Sequence, residues 1–228
     1  MESRMLKLNN MTLGLAILIG LAFSFPAYAA TATPAEIKKA KELKLGKKEF
    51  EENCVICHQA DAIGKAGVAP SLTNPELLSI SSDKFFMGTI RDGREDTGMM
   101  PFAHLGRKKV RAIVSYLRSK ATLPNRSEEV DAQPDAHGDP RLGEQWYIYI
   151  CSTCHGTDGN GYESEGAGTA IGLPGFLNKV SDGFLRETIK YGRSNTRMLA
   201  FQGPAGLANL TDQEVEDIIV YLRSQVKE

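Results

Sequence analysis

The pentapeptide Cys54-Val55-Ile56-Cys57-His58 recurs 97 positions later as Cys151-Ser152-Thr153-Cys154-His155, and the two copies hold every cysteine of the 228-residue chain. This is the pattern of covalent haem attachment. Each thiol adds to one vinyl group of a haem, two intervening residues set the sulfurs apart to reach both vinyls, and the following histidine is held under the iron. Cys54, Cys57, Cys151 and Cys154 are therefore expected as thioethers, and His58 and His155 as proximal iron ligands through neutral imidazole nitrogen. The expected cofactors are two covalently bound haem c groups. A dithiol redox pair does not require a histidine in the next position, and a four-cysteine zinc site would leave both histidines unexplained. The attachment also constrains the fold, because a haem supplies apolar core that a domain of about one hundred residues would otherwise lack.

The amino terminus indicates the compartment. Arg4 and Lys7 precede an apolar run from Met11 to Phe25, and Ala27-Tyr28-Ala29 then gives the small-x-small pattern of a signal-peptidase site. The run is shorter than the roughly twenty apolar residues that span a bilayer. Residues 1–29 read as a cleaved signal peptide, with an uncleaved anchor as the alternative. Covalent haem attachment takes place outside the cytoplasm in bacteria, so both signals agree on a periplasmic location. No cysteine is left to form a disulfide.

The repeat divides the remainder into two units, residues 30–122 and 141–228. Gly46 and Phe50 fall on Gly143 and Tyr147 at the offset of the two motifs. At an offset of 99, Asp83, Phe85, Thr89, Ile90, Gly93, Arg94, Thr97 and Phe102 match Asp182, Phe184, Thr188, Ile189, Gly192, Arg193, Thr196 and Phe201. At 105, Val110, Ile113, Tyr116, Leu117, Arg118 and Ser119 match Val215, Ile218, Tyr221, Leu222, Arg223 and Ser224. The drift marks loop insertions in the second copy, which duplicated globular units tolerate. Each unit reads as mostly helical. Thr33 to Glu36 and Thr211 to Glu214 are capping boxes, and Val215, Ile218, Ile219 and Leu222 recur at helical spacing, as do Val110, Ile113, Val114 and Leu117. Trp146 to Ile150 alone suggests a strand, but its register with Phe50 makes it helix. Residues 123–140 carry three prolines, several acids and little apolar content, so they read as a linker that proteases should reach first.

Both halves resemble class I c-type cytochrome domains, and the tandem resembles a dihaem cytochrome c. The resemblance rests on the haem motif, a Gly-x-x-x-aromatic helix before it, a proline-containing loop after it, a methionine, and a closing helix with Tyr-Leu. It implies a mostly α fold of two tandem domains, each a small helical bundle around a covalent haem. It also implies that first and last helices cross at glycine, Gly46 against Tyr116 and Gly143 against Tyr221. In that family a loop proline carbonyl holds the proximal histidine, which points to Pro70 and, less directly, to Pro174. The glycine-rich loop from Gly156 to Gly172 is expected to serve positive-φ turns near the haem edge. A methionine completes the iron coordination of the Met/His cytochromes. In the second half Met198 is the one methionine after His155. In the first half Met99 and Met100 both qualify: Met99 aligns with Met198, whereas Met100 precedes Pro101 as the family's ligand often does. Met99 is taken. Met87 reads as core, and His104, which has no counterpart in the second half, is a weaker candidate ligand.

Residues 31–125 hold 16 Lys and Arg against 11 Asp and Glu, while residues 126–228 hold 9 against 16. Such a dipolar chain suits steered docking to redox proteins, an electron donor and an electron acceptor. Nucleic-acid binding is not indicated. The expected function is that of a periplasmic one-electron carrier, with no catalytic residues and no bond made to substrate. The alternatives are a haem subunit of a membrane respiratory complex, or a dihaem oxidoreductase of the thiosulfate dehydrogenase or peroxidase type.

Overall fold

A computed structural model describes residues 32–226; the expected signal peptide lies outside them. Helix α1 (Pro34–Asn53) opens with proline at its first position, where the missing N–H costs nothing. It leads into a short α2 (Val55–His58) that carries the first haem motif. Next come α3 (Pro75–Ile80) and α4 (Asp83–Asp92). Asn74 and Ser82 start these two, accepting the backbone N–H groups of Leu77 (2.9 Å) and Phe85 (3.3 Å). Helix α5 (Gly106–Arg118) closes the first half.

A short helix α6 (Ser127–Asp131) follows, then α7 (Pro140–Trp146), which continues as one wide π-helical turn over Tyr147–Cys151. The segment with strand-like composition is thus helical. Helix α8 (Ser152–His155) carries the second haem motif, and α9 (Pro174–Leu177), α10 (Asp182–Tyr191) and α11 (Asp212–Ser224) complete the second half. Both bonds of the expected capping box open α11: Glu214 N–H to Thr211 Oγ1 (3.3 Å) and Thr211 N–H to Glu214 Oε2 (2.7 Å). No strand occurs among the described residues.

Each half is built on the same crossing. α1 meets α5 at Gly46, where an added Cβ would overlap the Ala112 carbonyl and lie 2.9 Å from Tyr116 Cβ. α7 meets α11 at Gly143, which faces the Asp217 carbonyl and Tyr221 Cβ (2.9 Å) in the same way. Only glycine permits that approach. The fully buried Phe50 and Tyr147 then pack on Tyr116 and Tyr221, with ring centroids 5.6 and 5.3 Å apart. The closing helix is clamped by an arginine. Arg118 bonds Asp83 (2.8 Å) and the carbonyls of Leu78 and Ser81; Arg223 bonds Asp182 (2.6 Å) and the carbonyls of Leu177 and Val180.

The described residues from Pro34 onward form one compact unit, so the two halves pack together. Their contact is approximately two-fold: Phe85 meets its own repeat partner Phe184 (centroids 5.5 Å), Glu76 accepts the N–H and Oγ–H of Ser194 (3.1 and 3.0 Å), and Gly175 lies against Glu95. Residues 76 and 175, and likewise 95 and 194, are repeat equivalents, as an isologous interface requires. Residues 123–140 do not run free. Val130 of α6 is fully buried in the second half's core, its carbonyl rests on Gly183, and the Arg126 N–H donates to the Ser79 carbonyl (2.7 Å). Val130, with Ala136 against the same core and side-chain bonds from Ser79, Ser181 and Glu187, ties this largely exposed segment to both halves.

Candidate haem-binding sites

Each haem motif occupies one helical turn, which places both cysteines and the histidine on a single short element. His58 ends α2 and is 8% exposed; its Nδ1 bonds the Pro70 carbonyl at 3.0 Å. His155 ends α8, and its Nδ1 bonds the Thr169 carbonyl at 2.7 Å. A carbonyl only accepts, so each bond places the ring proton on Nδ1 and leaves the Nε2 lone pair for a metal. Burial holds both imidazoles below their ordinary pKa even though these bonds oppose it, which keeps them neutral. Burial also pushes the Cys54 thiol up to about 11 and Cys151 to about 12, with the neighbouring Cys57 and Cys154 adding to it.

Pro70 stands where expected; Pro174 does not. Pro174 begins α9 as Pro75 begins α3, and Thr169 supplies the second carbonyl. The offset of 99 between Pro75 and Pro174 was the available signal. The glycine-rich loop has two reasons for its composition. Gly156, Gly159 and Gly161 take positive φ of 77°, 70° and 60°. Gly168 is needed for closeness instead, since an added Cβ would lie 2.7 Å from His155 Cε1 and Nδ1.

The methionines lie on a duplicated turn. After α4, the Arg94 N–H donates to the Met99 carbonyl (2.9 Å), Thr97 Oγ1 to the Arg94 carbonyl (2.7 Å), and the Met99 N–H to Thr97 Oγ1 (3.2 Å). After α10, Arg193, Thr196 and Met198 make the same three bonds at 2.6, 2.8 and 3.0 Å. Gly93 and Gly192 enter these turns at φ 68° and 67°, where a Cβ would sit 2.6 Å from the methionine carbonyl. Met99 packs against the first core and Met198 against the second, whereas Met100 is 71% exposed and its counterpart Leu199 is 52% exposed. Met87 packs on the first core, and exposed His104 lies beside the Phe102 ring.

The family model described as cytochrome C oxidase, cbb3-type, subunit III matches residues 41–117 and 138–222, one complete haem motif and one methionine turn in each stretch. The chain belongs to this family. As a member of the cbb3-type subunit III family it is a tandem c-type cytochrome, and its helical structure, without strands among the described residues, agrees. It is similar to the cbb3-type cytochrome c oxidase subunit CcoP of Rubrivivax gelatinosus, 30% identical over 87% of this chain and 60% of that protein. It is also similar to the subunit FixP of Bradyrhizobium diazoefficiens, 27% identical over 78% of this chain and 59% of that one. The chain thus spans about 60% of the length of these relatives.

The arginine that opens each methionine turn is a further candidate site residue, which the motif spacing alone does not assign. Arg94 lies over the Phe176 ring at 4.7 Å and donates from Nη2 to the Ala170 carbonyl of the other half (2.5 Å). Arg193 stays in its own half, over Phe184 and bonded to Thr188 Oγ1 (3.1 Å). Burial lowers both pKa values to about 10. Arg94 Nε and Arg193 Nη1 are buried without a hydrogen-bond partner among the described residues. Their recurrence in both copies, directly after a glycine, was the sequence signal.

Proposed function

We propose that the chain carries two haem c groups and works as an electron-transfer subunit of a cbb3-type respiratory oxidase. The observation that carries this reading is the double constellation: a histidine with Nδ1 held by a carbonyl and a half-buried methionine on a rigid turn, once in each family-matched stretch. Cys54, Cys57, His58 and Met99 would hold the first haem, and Cys151, Cys154, His155 and Met198 the second. The unpaired N–H donors of Arg94 and Arg193 suit haem carboxylates, since a buried donor gains most from an ionised acceptor. When bound, each haem would supply a one-electron Fe(III)/Fe(II) couple. The thioethers of Met99 and Met198 would hold the irons and favour their reduced state, which suits transfer of electrons without a bond to substrate.

Native electrophoresis of mildly solubilised membranes from the source organism tests this reading. Haem staining of this chain within a high-mass band that reduces oxygen supports the oxidase subunit; recovery solely in the soluble periplasmic fraction contradicts it. The small-x-small pattern at Ala27 to Ala29 favours a second reading, a free periplasmic carrier between a redox donor and acceptor. A mature amino terminus near Ala30 or Thr31 supports that carrier, and a retained apolar run supports membrane attachment.

A further inference from the structure

The approximate two-fold relation between the halves creates two equivalent grooves, and the chain fills only one. The filled groove lies between α3 and α10 and receives α6 with its flanks. Ser79 Oγ donates to the Pro124 carbonyl (2.7 Å), Ser181 Oγ to Asp131 (2.8 Å), and Glu187 accepts from Arg126 and Gln133 (both 3.2 Å), while Val130 lies on Gly183. The repeat equivalents of Ser79, Ser181, Gly183 and Glu187 are Asn178, Ser82, Lys84 and Gly88. All four line a groove of about 1170 Å³ between α4, the start of α5 and the α9–α10 corner.

The differences between the grooves define an occupant. Gly88 stands where Glu187 stands, which removes the carboxylate that Arg126 pairs with; the Lys179 stem lies 3.8 Å from where a Gly88 Cβ would be. Lys84 replaces Gly183, and Lys179 replaces Ile80. Lys84, Arg91, Arg107 and Lys179 face two carboxylates, Asp92 and Asp131. Asp92 is already bonded by Arg91 (2.6 Å) and lies 4.0 Å from Lys179, and Asp131 by Ser181. Lys84 and Arg107 form no salt bridge among the described residues. Met87, Val110 and Val180 contribute apolar lining.

We propose that this groove docks a short acidic helical segment of a partner protein, in the manner that α6 occupies the equivalent groove but without a basic residue at the position of Arg126. A helix with one apolar anchor supplies the contact with Met87, and its acids pair with Lys84 and Arg107. Such complementary charge sets partner choice and orientation.

The test titrates the haem-loaded protein at low salt with a labelled peptide of residues 124–136 in which Arg126 is replaced by Glu. Saturable binding is expected, tighter than that of the unaltered peptide, and about tenfold weaker for the Lys84→Glu/Arg107→Glu variant. The variant's visible and circular dichroism spectra should match those of the wild type, which separates loss of docking from loss of fold. No saturable binding, equal binding to the variant, or preference for the unaltered peptide overturns the proposal. So does a wild-type dimer, seen by sedimentation, that the variant dissolves, because the groove is then filled by a second copy.

Discussion

The two halves of the chain share a frame and differ in the loops that complete it. The glycine crossing, the arginine clamp and the methionine turn recur almost bond for bond. The loop from the histidine to its carbonyl does not: it runs from His58 to Pro70 in the first half, and in the second it is lengthened to Thr169 and paved with glycine. Tyr147 stands where Phe50 stands, and its hydroxyl donates to the Gly156 carbonyl (2.7 Å) at the start of that longer loop. Duplication has thus preserved what fixes the helices and the turns that carry Met99 and Met198, and it has allowed change where only the path of a connector was at stake.

Adding a methyl group at the helix crossings tests the shared frame with the largest expected effect. Gly46→Ala and Gly143→Ala each drive a Cβ into a carbonyl of the facing helix. Each should destabilise its half by about 3 kcal/mol or more, measured by thermal unfolding and by haem retained per chain. Equal tolerance of both would mean that the crossings are looser than described.

The loops should respond unequally. Gly168→Ala places a Cβ against the His155 ring and should cost about 1–3 kcal/mol while shifting the potential of the second haem alone. Pro70→Ala keeps the carbonyl that holds His58 and should leave both potentials close to wild type. Tyr147→Phe makes the second half resemble the first and removes one hydrogen bond, a loss of about 1 kcal/mol, readable as a lowered denaturant midpoint. A Tyr147→Phe protein as stable as the wild type would show that the longer loop does not depend on this tether.

The smallest effect concerns the contact between the halves. Burial alone would raise the Glu76 pKa. The N–H donors around the carboxylate, with the Ser194 hydroxyl and Asn74, outweigh it and bring the value below the ordinary 4.5. A carboxylate with a lowered folded pKa contributes its stability above that ordinary value and loses it as the pH falls through the lowered one. Unfolding should therefore become easier below about pH 4.5 in the wild type, by less than about 1 kcal/mol for a partly exposed group. The Glu76→Gln variant should lack that part of the acid limb, and an unchanged limb would remove Glu76 from the interface account.

Much of this was legible in the chain. The Cys-x-x-Cys-His copies, the apolar faces of α5 and α11, the capping box at Thr211 and the pairing of Gly46 with Tyr116 follow from residue chemistry at fixed spacing or from the family likeness. Thr169 was not legible, because which carbonyl meets His155 depends on the loop path, and that path is set by glycine contacts that carry no pattern. The seating of α6 was hidden for a related reason: Val130 is the one large apolar residue of an acidic stretch and has no periodicity. Arg118 and Arg223 recurred beside Asp83 and Asp182 in the repeat, yet only their folded positions show that each pair clamps a closing helix.

The central claim is that Met99 and Met198 serve equivalent irons, and the near-infrared sulfur-to-iron band of the oxidised protein tests it most directly. The wild type, with two haems by pyridine haemochrome assay, should show a band from both. Met99→Ala and Met198→Ala should each abolish one share, lower that haem's potential and open its iron to carbon monoxide, while Met100→Ala leaves the spectrum unchanged. A band that vanishes with Met100→Ala, or a wild-type protein that already binds carbon monoxide rapidly at one haem, would contradict the claim; the second result would place the chain among the enzymes.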